Sequence, residues 1–203
     1  MSAPPPILLW IRRDFRLSDH PALSAAVVSG RPIIPVFIRD SGVVALGAAP
    51  KWRLGLGLEN FSETLSGCGS ALVLRSGDAL TSLQALINET GATAVYWTRL
   101  YDSAGIARDK TVKQSLKAQG IEARSFGGHL MFEPWDVETK TGGFYRVYSP
   151  MWRAVKDRNV ATPLVAPAQL QAPLSWPTSE RLEAWSMGLA MARGAVVVRP
   201  YVR

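Results

Sequence analysis

Five short strand-like runs recur along the first two-thirds of the chain, and each of the first four is followed by a polar turn and a segment of helical spacing. The runs are Ile7–Arg12 (ILLWIR), Pro32–Ile38 (PIIPVFI), Ala71–Asp78 (ALVLRSGD), Ala92–Trp97 (ATAVYW) and Ile121–Phe126 (IEARSF). Short runs rich in β-branched and aromatic residues, bounded by Pro, Gly or charge, read as strands buried on both faces. Pro32 and Pro35 suit the start or an irregularity of the second strand better than its centre.

The intervening segments read as helices. His20–Gly30 has Asp19 at the expected N-cap, Pro21 early and Gly30 at the end. Leu54, Leu58, Phe61 and Leu65 mark one face of a helix from about Lys51 to Ser66, which Gly55 and Gly57 weaken by propensity. Leu80, Leu83, Leu86 and Ile87 stripe a third helix that stops near Gly91. Ala107–Gly120 places Val112 and Leu116 inward and Lys113 and Lys117 outward, with Gly120 as C-cap.

Repeated β–α units with short loops call for a parallel sheet with helices on both faces, an α/β fold. Right-handed crossovers make a Rossmann-like, doubly wound, five-stranded sheet the expected architecture. Ligands of such sheets sit beyond the C-terminal ends of the strands. Here those ends carry Arg12–Arg13–Asp14, Arg39–Asp40, Arg75–Ser76–Gly77–Asp78 and Thr98–Arg99–Leu100–Tyr101–Asp102. No G-x-G-x-x-G follows the first strand and no G-x-x-x-x-G-K-[ST] occurs, so neither a dinucleotide fingerprint nor a P-loop is present. After about Val155 the texture changes: Pro163, Pro167, Pro173 and Pro177 mark an extended connector. Ser179–Arg203 is too short for a core of its own.

Composition excludes several classes. One cysteine, Cys68, and two histidines, His20 and His129, rule out a disulfide framework and make a metal centre a poor expectation. No apolar stretch approaches a membrane span, and the arginines near the N-terminus follow the apolar run rather than precede it, the reverse of a secretory signal. The expectation is a soluble, cytoplasmic protein. Its net charge of +7 favours polyanions without establishing nucleic-acid affinity.

The densest candidate site is Trp10–Leu23, WIRRDFRLSDHPAL. Its three arginines and two aspartates, between a strand and a helix, suit an anion or a planar polar ligand, or else a structural ion-pair loop. Tyr145, Tyr148, Trp152 and Trp135 read as packing between the domain and its connector rather than as base-stacking groups. Arg146, Arg153, Lys156 and Arg158 read either as phosphate contacts or as a solvated face. Asp19 and His20 offer a proton relay or a helix start, Cys68 has no activating pattern, and His129 with Glu133 is too sparse for a metal.

At WIRRDFRLSDHPAL the chain resembles the photolyase/cryptochrome family, whose N-terminal domains open with W-F-R-x-D-L-R-L-x-D-N-x-A-L. Ile11, Phe15 and His20 depart from that pattern. The resemblance continues in order through Pro35–Asp40, Leu72–Leu80, Val95–Asp109 and Gly127–Ala154, and covers residues 5–185. It implies a parallel α/β domain over 5–133, a connector over 134–185 leading toward a helical FAD-binding domain, and a divergent tail over 186–203. The expectation is an early stop, a shifted reading frame or a gene fragment, with the chain inactive on its own.

The resemblance also implies a function: the antenna domain of a class I-like DNA photolyase, the parent activity being light-driven repair of cyclobutane pyrimidine dimers. The alternatives are a cryptochrome-type photoreceptor fragment and a stand-alone domain binding a nucleotide or another anion. FAD is expected only in the helical domain, and DNA is a partner of the full-length parent. No catalytic residue and no metal ligand is assigned. The implied antenna chromophore is a deazaflavin or flavin rather than a folate, because the family's folate-gripping Asn-Glu pair is here Ala104–Gly105. The candidate lining is Trp10, Arg12, Phe37, Arg39, Asp40, Arg53, Tyr101 and Asp102.

Overall fold

The computed structural model describes residues 4–188 and 191. Strands β1 (Ile7–Ile11), β2 (Ile33–Arg39), β3 (Val73–Ser76), β4 (Ala94–Thr98) and β5 (Glu122–Phe126) form one sheet in the order β3-β2-β1-β4-β5. All four strand pairings are parallel. The fold is therefore the α/β, doubly wound one that the alternation of apolar runs predicts.

Helices cover both faces. On one, α1 (Pro21–Val28) and α3 (Ala48–Gly67) bury Leu23, Leu58, Phe61 and Leu65 against Ile7, Leu9, Ile11, Ile33 and Phe37. On the other, α4 (Ala79–Thr90) and α5 (Ser103–Ala118) bury Leu83, Leu86, Val112 and Leu116 against Leu8, Trp10, Ile34, Val36, Val95 and Trp97. Successive side chains of a strand point to opposite faces, so each central strand feeds both cores. Pro35 sits inside β2 opposite Leu9, but β3 begins pairing only at Val36. At Pro35, therefore, β2 has a neighbour on one side alone, and a missing N–H is tolerated there.

Several local expectations change. The N-cap of α1 is His20, whose Nδ1 accepts the Leu23 N–H at 3.1 Å, and not Asp19. Asp19 lies in a left-handed turn (φ 48°), a conformation short polar residues tolerate. The helix expected from Lys51 begins at Ala48, and a four-residue helix, α2 (Ser41–Val44), precedes it. Gly55 and Gly57 have a packing reason: a Cβ at Gly55 would lie 2.9 Å from Met187 Cβ, and one at Gly57 would lie 3.2 Å from the Phe15 ring. The C-cap of α5 is Gln119, and Gly120 (φ 76°) follows it.

The proline-rich connector is a strap bound to the domain. Short helix α6 (Tyr148–Val155) precedes it. The Asp19 N–H donates to Leu164 O at 2.7 Å, and the Ile33 N–H to Gln171 O at 2.9 Å. The strap then returns along the edge of β3. Glu180 N–H donates to Leu74 O at 2.9 Å, Leu74 N–H to Ser179 Oγ at 3.0 Å, and Ser76 N–H to Glu180 Oε1 at 2.7 Å. These bonds satisfy backbone groups that an edge strand otherwise leaves open to another chain. Leu170 and Trp185 enter the core beside α3, with the Trp185 ring 6.0 Å from Phe37. The expected tail over 186–203 falls largely outside the described residues.

The aromatics read as domain-to-connector packing are not packed in this way. Trp135, Tyr148 and Trp152 are exposed, and the last two stack on each other at 6.2 Å. Trp185 takes the packing role instead. Trp185→Ala should cost about 3–5 kcal/mol in urea unfolding. A loss under 1 kcal/mol would mean that the strap is not part of the cooperative fold.

Candidate functional site

β1 is the first strand of the chain, and β2 and β4 flank it, so the order of strands reverses between β1 and β4. The C-terminal ends of the strands open there into a cleft of about 1870 Å³. Trp10, Phe37 and Ile38 lie buried beneath its floor, Phe15, Leu54 and Leu56 supply partly exposed apolar surface, α2 and the first half of α3 form a wall, and the N-termini of α4 and α5 form the rest. Of the eight candidate residues, Trp10, Arg12, Phe37, Arg39, Asp40, Arg53 and Asp102 line this cleft. Tyr101 does not. Its hydroxyl donates to Glu133 Oε2 at 2.7 Å, and it borders a separate, smaller hollow.

The charged residues of the cleft divide into two groups. Arg12 is buried, and its guanidinium donates to Asp109 Oδ1 at 2.6 Å and to the carbonyl oxygen of Thr98. Burial lowers its pKa from the usual arginine value, against the pull of Asp109. Asp109 also accepts the Trp97 indole N–H at 3.1 Å and pairs with Arg108 at 3.4 Å. Arg108 reaches on to Asp40 in a direct ion pair. Both guanidiniums pack on the Trp10 ring, at 4.6 Å for Arg12 and 5.0 Å for Arg108. This connected set holds the base of the cleft and ties α5 to the turn after β2.

Arg13, Arg39 and Arg53 form the second group. Arg13 is exposed and 3.7 Å from Asp102. Arg39 lies over the Trp185 ring at 5.2 Å, and its Nε is buried without a hydrogen-bond partner. Arg53 is exposed on α3. Among the described residues, Arg39 and Arg53 have no carboxylate within ion-pair distance, whereas Arg13 has Asp102.

Three aspartates close the helix ends around the cleft. Asp40 accepts the Val43 N–H at 3.0 Å, Asp78 the Thr81 N–H at 2.9 Å and Asp102 the Gly105 N–H at 2.8 Å. Each N-terminal partial charge already faces a carboxylate. The backbone hydrogen bonds to Asp78 and Asp102 hold both carboxyls below the usual carboxylate range. At these three ends an anion is therefore met by a carboxylate, whereas the N-terminus of α3, at Gly47 between the lining residues Leu46 and Pro50, has no side-chain cap.

Beside the cleft, Asp14 and His20 are almost fully buried, with His20 Nε2 3.0 Å from Asp14 Oδ2. Since Nδ1 accepts the Leu23 N–H, the ring presents its Nε2 proton to Asp14. His20 is thus bound to Asp14 as a structural group, and the Asp19–His20 relay is not formed. Burial works against the Asp14 charge, but the close approach of His20 and Thr98 and the Arg12 N–H, which donates to Asp14 Oδ1 at 2.9 Å, hold its pKa well below the ordinary value.

Arg108, Asp109 and the α2 wall were not among the candidate residues. Arg108 and Asp109 stand in the Ile106–Asp109 segment that carried part of the resemblance, which is the signal that marks them. Nothing in four residues of Ser41–Val44 marks a wall. Among the described residues, no group of three or more His, Cys, Asp or Glu side chains is placed to hold a metal, and no helix is long and apolar enough to cross a membrane.

Comparisons with known proteins give a consistent picture. The family model for DNA photolyase matches residues 7–170. A deoxyribodipyrimidine photo-lyase of Agrobacterium fabrum is 47% identical over 183 residues, 90% of this chain and 38% of that protein. Cryptochrome-2 of Arabidopsis thaliana is 32% identical over 172 residues, 83% of this chain and 28% of that protein. The crystal structure of a class III photolyase from Agrobacterium tumefaciens superposes with a TM-score of 0.88 at 46% identity, covering 92% of this chain and 39% of that one. That relative is class III, whereas the resemblance read from the sequence pointed to a class I-like member. The chain spans well under half the length of these relatives.

Asp14 also sets an acid limit on the fold. Its folded pKa is depressed, so its contribution is complete above the unfolded value of about 3.9 and is lost as pH falls below that. Urea unfolding should show stability falling as pH drops below about 4, and Asp14→Asn should lower stability at pH 7 and flatten this decline. An unchanged acid profile in the variant would remove Asp14 from the account.

Proposed function

This chain belongs to the DNA photolyase family, and on that premise we propose that it is an antenna module, binding in its strand-end cleft a planar chromophore with an anionic tail. The observation that carries the reading is the pairing of partly exposed apolar surface with guanidinium groups in one cleft. Phe15, Leu54 and Leu56 offer that surface above the buried rings of Trp10 and Phe37, while Arg39, with its buried and unpartnered Nε, and the exposed Arg53 offer charge, with Arg13 beside Asp102 at the rim. The cleft volume of about 1870 Å³ exceeds the roughly 300–1,000 Å³ of ordinary ligand pockets, so a multi-ring compound is accommodated.

Such a chromophore would absorb near-ultraviolet or blue light and pass the excitation to a flavin. This chain's residues would bind and orient it. Arg39 and Arg53 would hold the tail, and Phe15, Leu54 and Leu56 the ring system. Arg12 and Asp109 would act at one remove, by fixing Trp10 and Trp97. A deazaflavin or flavin fits better than a folate gripped through a paired amide and carboxylate. The two positions that would supply those groups are Ala104 and Gly105, and a Cβ at Gly105 would lie 2.8 Å from Leu100 Cβ and 3.0 Å from Asp102 Oδ2. A photolyase of Sulfolobus tokodaii, similar in fold at 21% identity, was solved with two FAD molecules, with the implication of a novel light-harvesting cofactor in that protein. Dimer splitting in the photolyases, or signalling in the cryptochromes, would be the activity of the longer protein to which such a module belongs.

The purified chain, incubated with FMN, a deazaflavin and a reduced folate and then desalted, should keep a flavin or deazaflavin band. Arg39→Met with Arg53→Met should weaken binding about tenfold or more, since a hydrogen bond to a charged group contributes about 1.5–3 kcal/mol. A retained folate band alone would reverse the chromophore assignment, and no retained band would end the antenna reading. A second expectation concerns DNA. With a charge of +7 the isolated chain should bind duplex DNA weakly, without preference for damage, and lose it as salt rises. Salt-insensitive binding in a filter or fluorescence assay would contradict this.

A further inference from the structure

Arg39 stands at the C-terminal end of β2, and the strap passes beneath its side chain. The short helical turn Leu182–Trp185 brings the Trp185 indole under the guanidinium, whose carbon lies 5.2 Å from the ring centroid. Trp185 is buried, although Glu183, Ala184 and Ser186 around it are exposed. A turn that is otherwise in water thus buries the one side chain that meets the cleft arginine.

The indole is fixed on several sides. Its N–H donates to Glu180 Oε2 at 2.6 Å, and Glu180 is held in turn by the Ser76 N–H and hydroxyl, each at 2.7 Å. Ser76 is the register partner of Arg39 between β2 and β3, so the anchor of the indole and the root of the arginine share one step of the sheet. Phe37, on the same face of β2 as Arg39, packs against the indole at 6.0 Å. Met187 seats the end of the turn on α3 at Gly55, where a Cβ would lie 2.9 Å from Met187 Cβ.

The arginine, by contrast, keeps its donors free. Among the described residues its side chain makes no hydrogen bond, and its Nε is buried. Partial burial works against the Glu180 charge, but hydrogen bonds from Trp185 and Ser76, with Arg39 nearby, hold its carboxyl below the usual carboxylate range. Glu180 acts on Arg39 through space, outside ion-pair distance, while its oxygens serve Ser76 and Trp185. A long side chain loses rotamer freedom when it grips an anion, and one already laid on a ring loses less. A ring face also steadies a guanidinium without consuming its N–H groups.

We propose that Trp185 is a positioning residue of the cleft: held by Glu180, it presents the Arg39 guanidinium to the anionic tail of the ligand, so that the strap sets the preference for a phosphate-bearing flavin over its uncharged form. This rests on the antenna reading above. Trp185 reaches the apolar surface of the cleft only through Phe37, a fully buried strand residue that stands between it and Phe15. Its effect therefore falls on the tail more than on the rings.

The test compares FMN with riboflavin, which lacks the phosphate, by flavin fluorescence on the whole chain, with folding of each variant checked by circular dichroism. FMN should bind the parent more tightly than riboflavin. Trp185→Leu should weaken FMN about threefold to tenfold and riboflavin less than about twofold. Trp185→Phe, which keeps a ring under the guanidinium, should restore most of the parent preference. Adding Trp185→Leu to Arg39→Met should cost FMN little beyond Arg39→Met alone, since the two act through one contact. A merely structural role would weaken both flavins alike, and that result overturns the proposal. So does an FMN affinity that Trp185→Leu leaves unchanged, or an effect that persists in full without Arg39. A parent chain that binds neither flavin ends the antenna reading and this inference together, whereas tight FMN binding indifferent to Trp185 ends this inference alone.

Discussion

Complete burial of β1 is the constraint on which the rest depends. From Ile7 to Ile11 no side chain is more than 1% exposed, although alternate residues face opposite sides of the sheet. A strand of this kind cannot border water on either face, so both faces must carry helices. Polar chemistry is thereby confined to the strand ends, where the chain must turn. There the polar groups first hold one another. Arg12, Asp14, Thr98 and Asp109 are largely covered and bound into a single set of contacts around the end of β1. The density of charge in the WIRRDFRLSD string reflects two needs, one structural and one open to a ligand. Arg12 and Asp14 serve the first, and Arg13 the second.

The same economy governs the helix ends. Three helices point their N-termini toward one cleft, a placement that by itself favours anions. Asp40, Asp78 and Asp102 each occupy that position with a carboxylate. The positive character of the cleft then rests on long, rotatable arginines that come from the ends of β1 and β2 and from α3. Fork-shaped guanidinium donors suit a carboxylate or phosphate.

Much of this was legible in the sequence, and the parts that were not share a physical reason. Strands and long helices repeat a local period, so Leu54, Leu58, Phe61 and Leu65 announce a helix without its partner in view. Seven of the eight candidate residues line the cleft, six because strand ends in a parallel sheet converge there whatever the loop sequences, and Arg53 from the first turns of α3. Tyr101 departs because its direction depends on Glu133, thirty-two residues away. The cap of α1 was assigned to Asp19 by residue type, but Asp14 draws His20 inward, and that pairing is invisible to local pattern. Helix α2 is a single turn with no period to read. Gly55 and Gly57 were read as weak points from propensity alone. The close approach of Met187 and Phe15 gives them their use.

The strap is the hardest feature to infer and has the widest consequence. Four prolines within fifteen residues suggest a chain that extends away from the domain. Yet the same prolines restrict the unfolded chain, so laying the segment along the domain costs less conformational entropy than it would for a flexible linker. Once laid down, it covers the free edge of β3 through Ser179 and Glu180. The Glu180 carboxylate binds both Ser76 and the Trp185 indole N–H. Trp185 then packs against Phe37 and under Arg39, two residues of the cleft. The position of the cleft's least committed buried donor, Arg39 Nε, is thus set by a residue almost 150 positions later in the chain. A strap fastened to the sheet edge and to the cleft at once makes the geometry of the ligand site depend on the connector as well as on the five strands.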